Sequence, residues 1–310
     1  MNEKLLTKDA FDASRHFIQE IARPLEIARF RHAFSGGSVE VVFDALRSYQ
    51  NSDGGFGHAM EPDLRAAESS ALCTSIAFQV LRSTQTNPAP SFVTMGIQYF
   101  LDTLDRTEGH WRIIPPSAER SPHAPWWNQT SREEEFNGFS LNPTAEILGY
   151  LYDYQTRVPG EVFALLFDRV LTYLSGLKEI KMHDLLCCLR LFQTENLPTA
   201  IREPLNQMLG RLIPASVASN PEEWSGYSLR PLQVVDSPQS PFMSELKDAV
   251  AVNLNYEISS QNKDGSWIPI WTWGGAYPDD WLIAQREWAG IITLDKLLLL
   301  KKFGRIEWIP

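Results

Sequence analysis

A seven-residue phrase occurs twice in this 310-residue chain: Gln50-Asn51-Ser52-Asp53-Gly54-Gly55-Phe56, and Gln261-Asn262-Lys263-Asp264-Gly265-Ser266-Trp267. Each copy follows an amphipathic helical stretch, and a duplicated mark at the ends of helices is the signature of a repeat architecture. The phrase has a mechanical sense. Asn and Gly tolerate the positive φ values that end a helix, and Asp-Gly favours a tight turn. The Gln amide and the aromatic ring, at its two ends, can pack over that turn and tie it down. Such a chain is constrained to helical pairs joined in series.

Composition narrows the class. With 44% hydrophobic residues the chain can bury a large core. A net charge of −10 without a basic patch excludes a general nucleic-acid binder. No run approaches the roughly 18 apolar residues of a membrane span, and Met1–Asp9 lacks an apolar signal core, so a cytoplasmic location is expected. Cys73, Cys187 and Cys188 are odd in number and two are adjacent, which reads as small buried helix residues rather than a disulfide framework. Aromatic residues are abundant, and several of the 10 Trp lie in loop-like stretches.

The periodicity predicts helices over Asp9–Ala22, Val39–Tyr49, Ser69–Ser83, Phe92–Asp105, Thr144–Thr156, Glu161–Leu177, Met182–Phe192, Ala200–Ile213, Glu245–Ser260 and Arg286–Phe303. Few stretches alternate as strands do. Long loops fall at Asn51–Glu68, Arg106–Pro143, Ala215–Ser244 and Gln261–Gln285, and loops of that length in a helical domain are usually functional. The order repeats as outer helix, turn, long loop, then a more apolar helix. The expectation is an all-α fold, an α/α toroid of about five to six helical hairpins, as a single domain over 1–310.

The two phrases resemble the "QW" repeats of the terpenoid cyclase and protein prenyltransferase superfamily, with a degenerate third copy at Gly109-His110-Trp111. The resemblance implies the α/α toroid and an enzyme acting by acid catalysis on an isoprenoid or similar apolar small molecule. Class II cyclases place a proton-donating Asp in Asp-x-Asp-Asp-Thr-Ala where an inner helix begins. Here Ala66-Ala67-Glu68-Ser69-Ser70-Ala71 offers Glu68 at the position of the central Asp, without the supporting carboxylates. Ser140-Leu141-Asn142-Pro143-Thr144-Ala145 keeps Thr-Ala without an acid. Prenyltransferases hold zinc through Asp, Cys and His. His183 and Cys187, spaced i, i+4 beside Asp184, could form part of such a site, but the family's Asp-x-Cys element is absent. No metal or cofactor is expected.

In a toroid, loops running from outer to inner helices emerge at one end of the ring. That would gather His58, Glu61, Asp63 and Arg65 with His123, Trp126 and Trp127, and with Trp271, Trp273, Asp279, Asp280 and Trp281. Glu61, Asp63, Glu68, Asp279 and Asp280 are candidate acids, His58 and His123 their partners, and Arg65 and the five Trp a substrate-binding wall. Acids in a poorly hydrated aromatic cavity shift in pKa and serve as acid or base. Each group also has a structural use, as first-turn acids, loop anchors or core rings. A carbohydrate lyase, hydrolase or epimerase is the alternative enzyme, since carboxylates and Trp platforms suit glycosidic chemistry. A non-catalytic ligand-binding toroid is the third possibility.

Overall fold

The computed structural model describes residues 3–84 and 90–308, which form helices and loops with isolated bridges and no sheet among them. In chain order the helices are α1 (Lys8–Ile21), α2 (Pro24–Phe34), α3 (Val39–Arg47), α4 (Ala71–Ser83), α5 (Pro90–Thr103), α6 (Glu133–Asn137), α7 (Leu141–Asp153), α8 (Gly160–Gly176), α9 (Met182–Phe192), α10 (Thr199–Ser216), α11 (Pro231–Val234), α12 (Met243–Ser259) and α13 (Pro278–Lys302). The all-α expectation holds. The short α6 and α11 fall within the stretches expected as loops, Arg106–Pro143 and Ala215–Ser244, and two longer elements also differ from the sequence reading. α2 is not predicted by periodicity, because its buried side mixes Leu25, Ala28, Phe30 and Phe34 with a buried Glu26, which dilutes the apolar pattern. α13 begins eight residues before Arg286, at Pro278, where proline at the first helical position and Asp279 and Asp280 in the first turn suit a helix start.

The chain forms two compact units: a terminal unit of Met1–Leu46 with Val217–Pro310, and a central unit of Arg47–Ser216. In the terminal unit α13 packs on α1 and α2. Phe11, Phe30 and Phe34 cluster there with ring centroids 5.0–6.0 Å apart. In the central unit α7 lies between α4 and α9, and α8 and α10 pack against α7 and α9. Gly149 permits the close approach of α7 to α9, since a Cβ there would stand 2.5 Å from Thr194 Oγ1 and 3.2 Å from the Leu191 Cα.

The duplicated phrase folds twice into one turn. Gln50 Nε2 donates to Gly54 O at 3.0 Å, and Gln261 Nε2 to Gly265 O at 3.2 Å. Each amide also reaches the start of a neighbouring helix: Gln50 the Phe92 carbonyl of α5, Gln261 the Ala10 carbonyl of α1. Asp53 accepts from Gly55 N and Asp264 from Ser266 N, at 2.9 and 3.0 Å. Phe56 N donates to Thr74 Oγ1 on α4 and Trp267 N to Thr293 Oγ1 on α13, both at 3.0 Å. Gly54 and Gly265 sit at φ +88° and +87°, and a Cβ on either would stand 2.3 Å from the backbone of a neighbouring helix, Met95 on α5 or Ala13 on α1. Only glycine fits. At the third site Trp111 Nε1 donates to Phe100 O on the preceding helix, as Trp267 Nε1 does to Glu257 O.

Candidate functional site

The loops Asn51–Glu68 and Arg106–Pro143 meet in the central unit. Leu64 stands opposite His123 in an antiparallel bridge, with Ala124 N donating to Asp63 O and Arg65 N to Pro122 O, each at 2.9 Å. Glu61, Asp63 and His123 are buried, and His123 Nδ1 lies 2.6 Å from Ser121 O. The loop carries two adjacent left-handed residues, His58 at φ 54° and Ala59 at φ 59°. His58 remains exposed, its Nε2 2.8 Å from Asn51 Oδ1. Glu68 is exposed and reaches Arg120 at 3.9 Å, a surface pair of small energetic weight. Trp126 is exposed and Trp127 half-buried in a short 3-10 turn.

The remaining predicted residues belong to the terminal unit. Asp279 and Asp280 occupy the first turn of α13 behind Tyr277, so they complement the positive helix end. Trp273 packs on Trp281 at 5.7 Å and Trp271 on Trp288 at 5.2 Å. Trp273 is core, while Trp271 and Trp281 are half-buried.

A different set of groups forms a connected polar strip across α4, α7 and α9. α7 is buried along nearly its whole first ten residues, yet it carries Glu146, which is 2% exposed. A carboxylate there is costly unless paired and hydrogen-bonded. Arg190 on α9 donates to Glu146 Oε2 at 2.8 Å, Gln79 on α4 at 3.1 Å and the Tyr150 hydroxyl at 3.5 Å. Burial by itself would lower the Arg190 value, and the Glu146 charge more than reverses that. The Arg190 side chain is 33% exposed, so the pair extends from the core to the surface.

Towards the start of α9 the strip continues through Cys187, whose thiol donates to Asn142 Oδ1 at 3.5 Å. Asp184 Oδ1 then accepts from Asn142 N at 3.0 Å and from the Ser140 hydroxyl at 3.4 Å. The local reason is Pro143. It bars the residue before it from the helical region, and Asn142 sits at φ −95°, ψ 116°, so its N–H turns to side-chain acceptors. Asp184, Cys187 and Arg190 recur at helical spacing and share a face of α9. Burial raises the Asp184 carboxyl above the ordinary aspartate value, against the opposing pull of the Asn142 N–H, Lys181, Ser140 and His183. Such a group holds its proton to higher pH than a solvated aspartate and can deliver it.

Glu146 and Arg190 are not among the residues expected from sequence. The available signal is one acid in the apolar run Leu141–Leu151 and one base in Leu185–Phe192, opposite charges on two buried helices. His183, Asp184 and Cys187 do share the first turns of α9. Among the described residues, however, no three His, Cys, Asp or Glu side chains are grouped to hold a metal ion. No protein-family model matches the chain, and no curated protein matches it.

Proposed function

We propose that the protein is an enzyme that protonates a small molecule, with Asp184 as the acid. The observation that supports this reading is the seat of the Asp184 carboxyl on Asn142 N and the Ser140 hydroxyl. In the terpenoid cyclase resemblance, Ser140–Ala145 aligns with the acid motif and Asn142 stands at its central Asp. The neighbouring helix brings a carboxyl to that spot. The α/α toroid belongs to the same proposal, supported by the turn built twice in one geometry. By the same resemblance the substrate is an isoprenoid or a similarly apolar molecule. Glu61, Asp63, Glu68, Asp279 and Asp280 then serve the loops and helix starts.

A carbohydrate substrate is the second reading. It is favoured by the half-buried Gln79, Asn142 and Arg190 beside the acid, which suit a hydroxyl-bearing ligand. The two readings separate in one assay. The protein is incubated with farnesyl diphosphate, geranylgeraniol and squalene, and in parallel with neutral oligosaccharides. Products are resolved by mass spectrometry. The isoprenoid reading expects a rearranged or hydrated hydrocarbon skeleton. Turnover confined to the sugars overturns it in favour of the second reading, and no turnover of any substrate counts against both.

A further inference from the structure

In the terminal unit, four tryptophan rings of α13 and the segment before it form a strip, with Tyr227 from the loop before α11 against one of them. Trp281 and Trp288 are seven residues apart on α13, so they lie on nearly one face, about 10.5 Å apart along the axis. Gln285 falls between them on that face, at i+4 from Trp281. The preceding segment lays Trp273 against Trp281 and Trp271 against Trp288, and Tyr227 stands at 86° to Trp271 with centroids 6.1 Å apart. Tyr227 is 62% exposed, and Trp271, Trp281 and Trp288 are half-buried, so ring surface reaches solvent along the strip. Asp280 and Glu287 precede the two α13 tryptophans and flank the same face, both half-buried.

We propose that this strip binds an oligosaccharide. Ring faces accept the polarised C–H face of a sugar, while the Gln285 amide and the Asp280 carboxylate offer partners to its hydroxyls. A hydrocarbon covering the strip would strip water from those two polar side chains and return no hydrogen bonds, which is unfavourable. A compact cation would cover one ring and leave the length of the strip unused. A chain of sugar units matches both the extent and the alternation of ring and polar group. This inference concerns the terminal unit and does not rest on Asp184 being an acid.

The test is calorimetric titration of the full-length protein with cellohexaose, xylohexaose, maltohexaose and chitohexaose. Saturable binding of at least one is expected. Tyr227→Ala and Trp271→Ala should each weaken it by about tenfold, the scale of losing a ring contact at a binding surface. Trp271→Phe should restore most of it, and Tyr227 is exposed enough that its removal leaves helical content unchanged. Absence of binding to all four at about 10 mM, where even weak complexes register, overturns the proposal. So does binding indifferent to both alanine variants. Tyr227-dependent binding of farnesol in place of any sugar would make the strip a hydrocarbon surface and also refute it.

Discussion

Glu146 and Glu257 show what a lone charge in an apolar helix does in this protein. Glu257 is buried on α12 and accepts from Arg230 at 3.0 Å, Lys296 at 2.8 Å and Asn253 at 3.2 Å. Burial pushes its carboxyl upward, but Lys296 and Arg230 outweigh this and hold it below the ordinary glutamate value. Because the folded value is depressed, its contribution to stability is present above the unfolded value of 4.5 and is lost as pH falls through the folded one. Glu257→Ala leaves two cations facing a buried gap. It should cost about 3–5 kcal/mol in urea denaturation at pH 7, with the difference from the parent shrinking below pH 4.5. A pH-independent difference would mean the ion pairs contribute little. At this scale the sequence draws attention to acids in loops, where aromatic and polar residues crowd together, and notices Asp184 only as a neighbour of His183 and Cys187, because its seat depends on a backbone N–H from another helix.

The duplicated turn is where sequence and structure agree most closely. Gln, Asp, Gly and the closing aromatic each have the same partner type in both copies, which is why the phrase is readable in the sequence alone. Gly54→Ala and Gly265→Ala should destabilise by similar amounts, about 2 kcal/mol or more, since each combines a left-handed backbone with a clash against a neighbouring helix. Gly274→Ala, also at positive φ (+63°) but with open space around it, should cost only about 1 kcal/mol. Thermal melts of the three variants check this, and equal losses at all three would remove the packing part of the explanation. Helix starts are harder to read. α13 opens with Pro-Asp-Asp-Trp, where the only signals are capping chemistry, because the apolar stripe begins later. α2 hides its amphipathicity behind the buried Arg23–Glu26 pair, 2.8 Å apart.

At the scale of the whole molecule, one of the two units is assembled from both ends of the chain. Leu6 pairs with Ile306 in a parallel bridge, Leu6 N donates to Arg305 O, and Glu307 N donates to Leu6 O. The buried Arg305 reaches Lys4 O at 2.8 Å and Asn255 Oδ1 at 3.3 Å. This clasp closes the unit, so Arg305→Ala should lower the melting temperature measurably and raise protease sensitivity at the chain ends. An unchanged melt and digestion pattern would show the clasp to be ornamental. Helix class and the repeated turns are legible because they rest on local periodicity and glycine geometry. The pairing of residues 1–46 with 217–310 is not, because it depends on contacts between distant segments that no local pattern records.

The central claim is that Asp184 is the proton donor, and the most direct test is the turnover of Asp184→Asn beside the parent on whichever substrate the assay identifies. Asn keeps an acceptor for Asn142 N and Ser140 but has no proton to give. Since burial raises the aspartate value, its ionised form lowers stability as pH rises from 3.8 through the folded value, so the variant should be at least as stable at pH 7. The account predicts a fall in kcat of about 10²–10⁴-fold, with the melting temperature held or raised. A folded variant that turns over at the parent's rate would contradict it.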